Sequence, residues 1–254
     1  MSSHPPSPTP ADSPTASLKS ENAAKYPVDA RRARSAERYP TRNNWARTEL
    51  TRRLRKIIGR FVDPMMRSRR SQLNALPVPE DHILFLGDSI TDYGMWHEWF
   101  PDLPTLNRGV GGETTGELLA RIDAAINRPV AVFLLIGTND ISWVVPSAEI
   151  IDNLRQIIRR IQALAPGTPI VVESIMPRNV RFREDVMHIN RLYRDVVAGA
   201  GDHVTYLDLW PALATQYGTL RPDFTDDNLH LNGKGYHAWV ETLEPIIESL
   251  GGSK

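Results

Sequence analysis

Val130-Ala131-Val132-Phe133-Leu134-Leu135-Ile136-Gly137 runs through the middle of the chain without a single charged side chain. The run is too short for a self-standing helix, and its β-branched and aromatic content suits a strand. It is apolar at every position rather than at alternate ones. A strand of that kind is covered on both faces, as in the centre of a parallel sheet. Working outward, Ile83–Gly87, Pro104–Asn107, Pro169–Ile175 and Val204–Leu207 are shorter strand-like runs. Between and after them lie helix-like segments at Thr91–Phe100, Thr115–Ala125, Ser147–Leu164, Asp185–Ala200 and Asn232–Leu250. In Ser147–Leu164 the residues Ile150, Leu154, Ile157, Ile158, Ile161 and Leu164 recur at helical period. This alternation predicts an α/β fold, a doubly wound parallel sheet of about five strands with right-handed crossovers.

In such a sheet, sites form beyond the carboxyl ends of the strands. The polar residues that stand out fall there. Gly87-Asp88-Ser89 follows the first strand, and Asn107-Arg108-Gly109-Val110-Gly111-Gly112-Glu113 spans the end of the second. Gly137-Thr138-Asn139-Asp140 follows the third, and Asp227-Asn228-Leu229-His230 lies in the long loop after the fifth. A serine hydroxyl needs an adjacent base to act as a nucleophile, and a histidine needs a partner to fix its tautomer. Ser89, His230 and Asp227 are the candidates for these roles. Asp-x-x-His places both of its members in one turn, so they can bond to each other without distant packing. A glycine N–H and an asparagine amide suit an oxyanion. The blander readings are Ser89 as a helix N-cap, Asn139 as a cap and His230 as a loop residue. Asp226 competes with Asp227, and His237 with His230. His82, His97, His188 and His203 have no carboxylate pattern beside them. A metal cluster of Asp88, Asp226, Asp227 and His230 would leave Asn139 and the glycines unexplained. Asp88 reads as a loop-structuring residue. Gly-x-Ser-x-Gly is absent at Ser89, which argues against the α/β-hydrolase nucleophile elbow.

At these four blocks, in this order, the chain resembles the SGNH/GDSL hydrolase family. Gly-Val-Gly-Gly-Glu-Thr-Thr and Gly-Thr-Asn-Asp are most similar to the branch of the platelet-activating-factor acetylhydrolase catalytic subunits. The resemblance implies a flavodoxin-like three-layer α/β/α sandwich with strand order 2-1-3-4-5. It implies a serine esterase on short acyl, above all acetyl, esters. Ser89, His230 and Asp227 would form the triad, and the N–H of Ser89, the N–H of Gly112 and the Asn139 amide the oxyanion hole. Gly109 and Gly111 are then turn formers. It implies no cofactor and no metal. Acyltransferase or thioesterase chemistry on the same site, and a non-catalytic scaffold, are the alternatives. Trp96, Trp143, Ile175 and Met176 lie near the strand ends as substrate-binding candidates, with core packing the competing explanation. Arg178 is expected to be a surface charge.

The chain has 254 residues, 30 basic and 30 acidic, and no cysteine. A thiolate nucleophile, a disulfide and a Cys-based zinc site are therefore excluded. No apolar run approaches the roughly 18 residues of a membrane span, and no apolar leader follows the first residues, so the cytoplasm is the expected location. The neutral total hides an asymmetry. Residues 1–80 hold 16 Lys+Arg against 7 Asp+Glu, so the rest carries the balancing acidic excess. These halves can attract each other. Residues 1–40 are a Pro/Ser/Thr-rich and then charged tail, expected to be disordered. Residues 41–76 form a basic extension. Within it, residues 43–62 predict an amphipathic helix ending before Pro64, with Trp45, Leu50, Leu54, Ile57, Ile58 and Phe61 on the apolar face. That face is expected to pack on the catalytic domain, residues 77–254, or on a second copy in a homodimer. An anionic membrane surface is the alternative partner. Nucleic acid is not expected, because aromatic interleaving is missing.

Overall fold

The computed structural model describes residues 64–251, so the expectations for the tail and for the helix over 43–62, with its membrane or dimer role, lie outside the described residues. Five strands form one parallel sheet: β1 (Ile83–Gly87), β2 (Thr105–Gly109), β3 (Ala131–Leu135), β4 (Ile170–Glu173) and β5 (Val204–Leu207). Their order is β2-β1-β3-β4-β5. The helices are α1 (residues 64–75), α2 (Ser89–Asp92), α3 (Trp96–Trp99), α4 (Thr115–Arg121), α5 (Thr138–Ser142), α6 (Ser147–Leu164), α7 (Arg183–Ala198), α8 (Trp210–Leu213) and α9 (Gly233–Gly251). None of the described helices is long and apolar enough to cross a membrane.

Alternate residues of each strand feed two cores, as the two-residue period of a strand dictates. Leu84, Leu86, Val132, Leu134, Ile170 and Val172 face one way, under Leu118 of α4, Leu154 and Ile158 of α6 and Tyr193 of α7. Ile83, Phe85, Phe133 and Val171 face the other, under Trp96 of α3 and Trp239 and Leu243 of α9. β1 and β3 are buried at every position, which is why they read as unbroken apolar runs. The edge strands β2 and β5 are only partly buried.

The stretch Thr91–Phe100 is not one helix. It breaks between α2 and α3 because Asn107 on β2 competes for its carbonyls. The Asn107 amide donates to the carbonyl oxygens of Thr91, Asp92 and Gly94, each at 3.0 Å. The Trp96 indole N–H also donates to Thr91 O, at 2.9 Å. A side chain at Gly94 would meet that indole at 2.4 Å. Similarly, α4 stops at Arg121 and gives way to a single 3-10 turn over Ile122–Ala124.

Glu173 is the one buried polar residue on the faces of β4, and the Trp239 indole N–H donates to its Oε1 at 2.9 Å. Burial pushes this carboxyl from its ordinary 4.5 up to about 8, against the opposing effect of the Trp239 bond. Between those two values the folded chain keeps a proton that the unfolded chain releases. Stability therefore falls as pH rises through that window and levels off above it. Glu173→Gln keeps an oxygen for Trp239 and has no such proton to lose. It is expected to stabilise the protein at pH 8 by about 2–4 kcal/mol, with the gain vanishing near pH 4.5. Urea unfolding of both proteins across this range measures it. A gain independent of pH would show that Glu173 is charged in the fold.

Candidate active site

β1 ends at Gly87, where a Cβ would lie 2.1 Å from the Leu135 carbonyl oxygen, so only glycine lets the chain turn out of the sheet there. The cap of α2 is Asp88, not Ser89: Asp88 Oδ1 accepts from Ile90 N at 3.0 Å. Ser89 is thereby freed to point elsewhere. Its Oγ lies 2.9 Å from His230 Nε2. His230 Nδ1 lies 2.6 Å from Asp227 Oδ2. The other carboxylate oxygen, Asp227 Oδ1, accepts from Leu229 N at 2.9 Å and from His230 N at 2.7 Å. Asn228 adopts φ 63°, a left-handed conformation that asparagine tolerates, and this turn brings both N–H groups onto the carboxylate. Burial alone would raise the Asp227 pKa. The His230 ring bond and the two backbone N–H bonds outweigh it and hold the carboxyl at about 2. The histidine loop is fixed to the serine turn from below, where Tyr236 Oη donates to Ile90 O at 2.6 Å.

Facing Ser89 is the loop after β2. Glu113 N–H closes on Val110 O at 3.4 Å, and Gly112 inside that turn has φ 76°, which glycine adopts without strain. A Cβ on Gly111 would lie 3.8 Å from Ser89 Cβ, so this loop runs directly alongside the serine. Asn139 stands in the first turn of α5, and its Nδ2 donates to the carbonyl of Glu113 at 2.9 Å. Gly137, the cap of that helix, has φ 119° and no room for a Cβ, which would meet Tyr193 Oη at 2.6 Å. Asp140 locks α5 to α4 by accepting from Thr115 N at 2.9 Å and Thr115 Oγ1 at 2.6 Å. The first-turn N–H groups of α2 have no intrahelical acceptor. The structure thus brings Ser89, His230, Asp227, the Gly112 turn and Asn139 to the carboxyl edge of β1, β2 and β3. Asp226 is exposed, and His237 is an exposed residue 3.5 Å from Glu241.

The apolar residues near the strand ends divide. Trp96 is 1% exposed; it stacks on Phe85 with ring centroids 3.9 Å apart and meets Trp239 edge-on. Ile175 and Met176 are equally buried, and the backbone of Ile175 is taken up by the Asn190 side chain at 2.8 Å in both directions. These three are core residues and offer no surface to a substrate, which corrects the expectation for them. Trp143 closes α5 and is half-buried. Arg178 is likewise not a surface charge. It is 7% exposed, donates to Thr138 O and to Ser142 Oγ at 2.7 Å, and lies 3.9 Å over the Phe182 ring. Burial lowers its pKa to about 10, with Asp88 and Asp227 opposing that shift. Burial also raises Asp88, whose second oxygen is unpartnered, to about 7. Tyr93 was not singled out by the sequence. It is 58% exposed, with its ring centroid 5.2 Å from that of His230, and the signal for it was an aromatic residue one helical turn past Ser89.

Comparison with known proteins fits this geometry. Residues 85–238 match the model of the GDSL-like lipase/acylhydrolase family. Platelet-activating factor acetylhydrolase IB subunit alpha1 of Rattus norvegicus is 29% identical over 181 residues, covering 67% of this chain and 77% of the rat protein. A solved protein of Streptococcus pneumonia, named for platelet activating factor, is 31% identical. It superposes with a TM-score of 0.70 over 76% of this chain and 97% of that one. A GDSL-like lipase of Bacteroides thetaiotaomicron, 20% identical, shares the fold with a TM-score of 0.59 over 72% of this chain and 97% of its own. With the family match spanning more than half of its length and all four signature blocks on one sheet edge, the chain belongs to the GDSL-like lipase/acylhydrolase family.

Proposed function

We propose that the protein is a serine esterase that hydrolyses short-chain acyl esters, with acetyl esters foremost. The observation that carries the reading is the unbroken relay from Ser89 Oγ through His230 to Asp227, at 2.9 and 2.6 Å. His230 Nε2 takes the Ser89 proton as Oγ attacks the ester carbonyl carbon. The oxyanion that forms is held by the N–H of Ser89, the N–H of Gly112 and the second amide hydrogen of Asn139, whose first is committed to Glu113. Collapse expels the alcohol, which leaves with the proton from His230. Water then attacks the acyl-serine, His230 accepts its proton, and the acid departs as Ser89 is reprotonated. The acetyl preference rests on the acetylhydrolase name of the mammalian relatives and on the closure of Trp96, Ile175 and Met176 into the core. Tyr93 and Trp143 are the aromatic residues left to line the substrate.

The test is hydrolysis of p-nitrophenyl esters from acetate to palmitate by the unmutated chain and by Ser89→Ala. Activity that peaks at acetate or propionate and disappears in the variant is the expected result. A preference for long chains would overturn the substrate class, and equal rates in the two proteins would overturn the nucleophile.

A further inference from the structure

Two consecutive arginines of the N-terminal extension reach into the oxyanion loop. We propose that Arg69 and Arg70, on α1, are positioning residues that clamp the Gly112 turn from both sides. The inference rests on the assignment of Gly112 to the oxyanion hole. On one side, Arg69 Nε pairs with Asp92 Oδ1 at 3.0 Å and donates to Gly109 O at 3.3 Å. The other oxygen of the same carboxylate, Asp92 Oδ2, accepts from Gly111 N at 3.2 Å. On the other side, Arg70 Nε donates to Glu113 Oε1 at 2.6 Å. The main chain of Glu113 accepts the Asn139 amide. Gly112 therefore sits between two residues that are each tied, at one or two removes, to α1.

Ordinary charge compensation does not account for this arrangement. Glu113 is fully buried, but Arg121 already bonds it with both oxygens at 2.8 and 2.9 Å. Arg70 adds a second cation to a carboxylate that is not short of one. What it adds is direction, since two guanidinium groups from different helices fix the plane of the Glu113 carboxylate. The docking of α1 does not depend on the pair either. Arg108 on β2 donates to Leu73 O at 2.7 Å and to Pro77 O at 3.3 Å, and Leu73 is buried. Either arginine can thus be removed with α1 still anchored. The start of the loop is anchored by the fully buried Val110, whose N–H donates to Gly87 O at 3.1 Å, whereas Gly111 and Gly112 beyond it have no side chains of their own to pack. An oxyanion donor must be held within a fraction of an ångström, and displacement by about 1 Å costs roughly a hundredfold in rate. Part of the basic excess of the extension thereby acquires a role inside the catalytic domain.

The experiment uses the full chain with Arg69→Met, Arg70→Met, the double substitution, and Arg70→Lys as the variant that keeps the charge and loses the fork. With p-nitrophenyl acetate, each Met variant is expected to lose about 5- to 30-fold in kcat with KM within about twofold, and Arg70→Lys to fall between. The inhibition constant of phenylboronic acid, whose tetrahedral adduct on Ser89 places an oxygen in the hole, is expected to rise by the same factor as kcat falls. A lower unfolding temperature with unchanged kcat and boronate affinity would overturn the proposal and leave the arginines a purely structural role. If the unmutated chain hydrolyses no ester, the esterase reading fails separately. Amide hydrogen exchange over residues 109–114 then decides: faster exchange in the double variant supports the clamp, and unchanged exchange overturns it.

Discussion

Ser89→Ala is expected to lower kcat by about 10⁴- to 10⁶-fold, and His230→Ala by a similar factor, while the double variant loses little more than either alone. Non-additivity is the informative part. The Ser89 hydroxyl is a weak nucleophile unless its proton passes to His230 Nε2, 2.9 Å away. Once either partner is gone, the other has no remaining role in the acyl transfer. The residual rate then comes from the oxyanion donors and from binding alone. Both side chains can be truncated without loosening the fold. The α2 cap belongs to Asp88, and the turn at residues 227–230 is held by backbone N–H groups bonded to Asp227. Unfolding temperatures close to that of the unmutated chain are therefore expected. Initial rates on p-nitrophenyl acetate, normalised by active-site titration, give the factors. A His230→Ala protein that keeps a tenth of the activity would remove His230 as the base, and multiplicative losses in the double variant would show that the two residues do not act as a unit.

The strands were legible because burial on both faces leaves only one kind of sequence. β1 coincides with its apolar run and β3 lies inside the run Val130–Gly137; the partly buried edge strand β5 also matches its short run, and α6 coincides with its six-residue apolar stripe at Ile150 through Leu164. The relay residues were legible because Asp-x-x-His is a local device and because strand ends announce themselves by glycine. What the sequence did not show depends on partners distant along the chain. The break after Asp92 is held by Asn107, which bonds the carbonyls of Thr91, Asp92 and Gly94; the one local signal of it between residues 91 and 100 is Gly94. Trp96 looks like a pocket wall beside Ser89, yet Phe85 from β1 and Trp239 from α9 enclose it. Arg178 looks like a surface charge because arginine usually is one; the α5 carbonyl and hydroxyl that receive it are 36 to 40 residues away. The same holds for α1. Its link to the site runs through Asp92 and Glu113, side chains that in sequence are merely the acidic neighbours of more conspicuous ones.

Asp227→Asn is expected to cost about 10⁴-fold in kcat while leaving the fold and KM nearly unchanged. The two carboxylate oxygens have different duties. Oδ1 accepts the N–H groups of Leu229 and His230, so an asparagine must place its carbonyl oxygen there. Its amide nitrogen then takes the position of Oδ2, 2.6 Å from His230 Nδ1 in the unmutated chain. An amide there donates where the carboxylate accepted. The imidazole proton is forced onto Nε2, and the ring can no longer receive the proton of Ser89. The charge needed to stabilise the imidazolium is lost in the same step. Asp227→Ala would instead remove the turn's acceptor along with the charge, which confuses geometry with chemistry. Because the hydrogen bonds that overcome burial hold Asp227 at about 2, it stays ionised down to strongly acidic pH. Its contribution to stability is full above its ordinary value of 3.8 and is lost as pH falls through about 2, so it contributes no limb to the rate profile near neutrality. Nitrogen NMR of the His230 ring reads the tautomer directly. A proton on Nε2 in the variant, together with the rate loss, supports the orienting role of Asp227. A proton retained on Nδ1, or a kcat within tenfold of the unmutated chain, would mean that the 2.6 Å bond orders the loop without governing the chemistry.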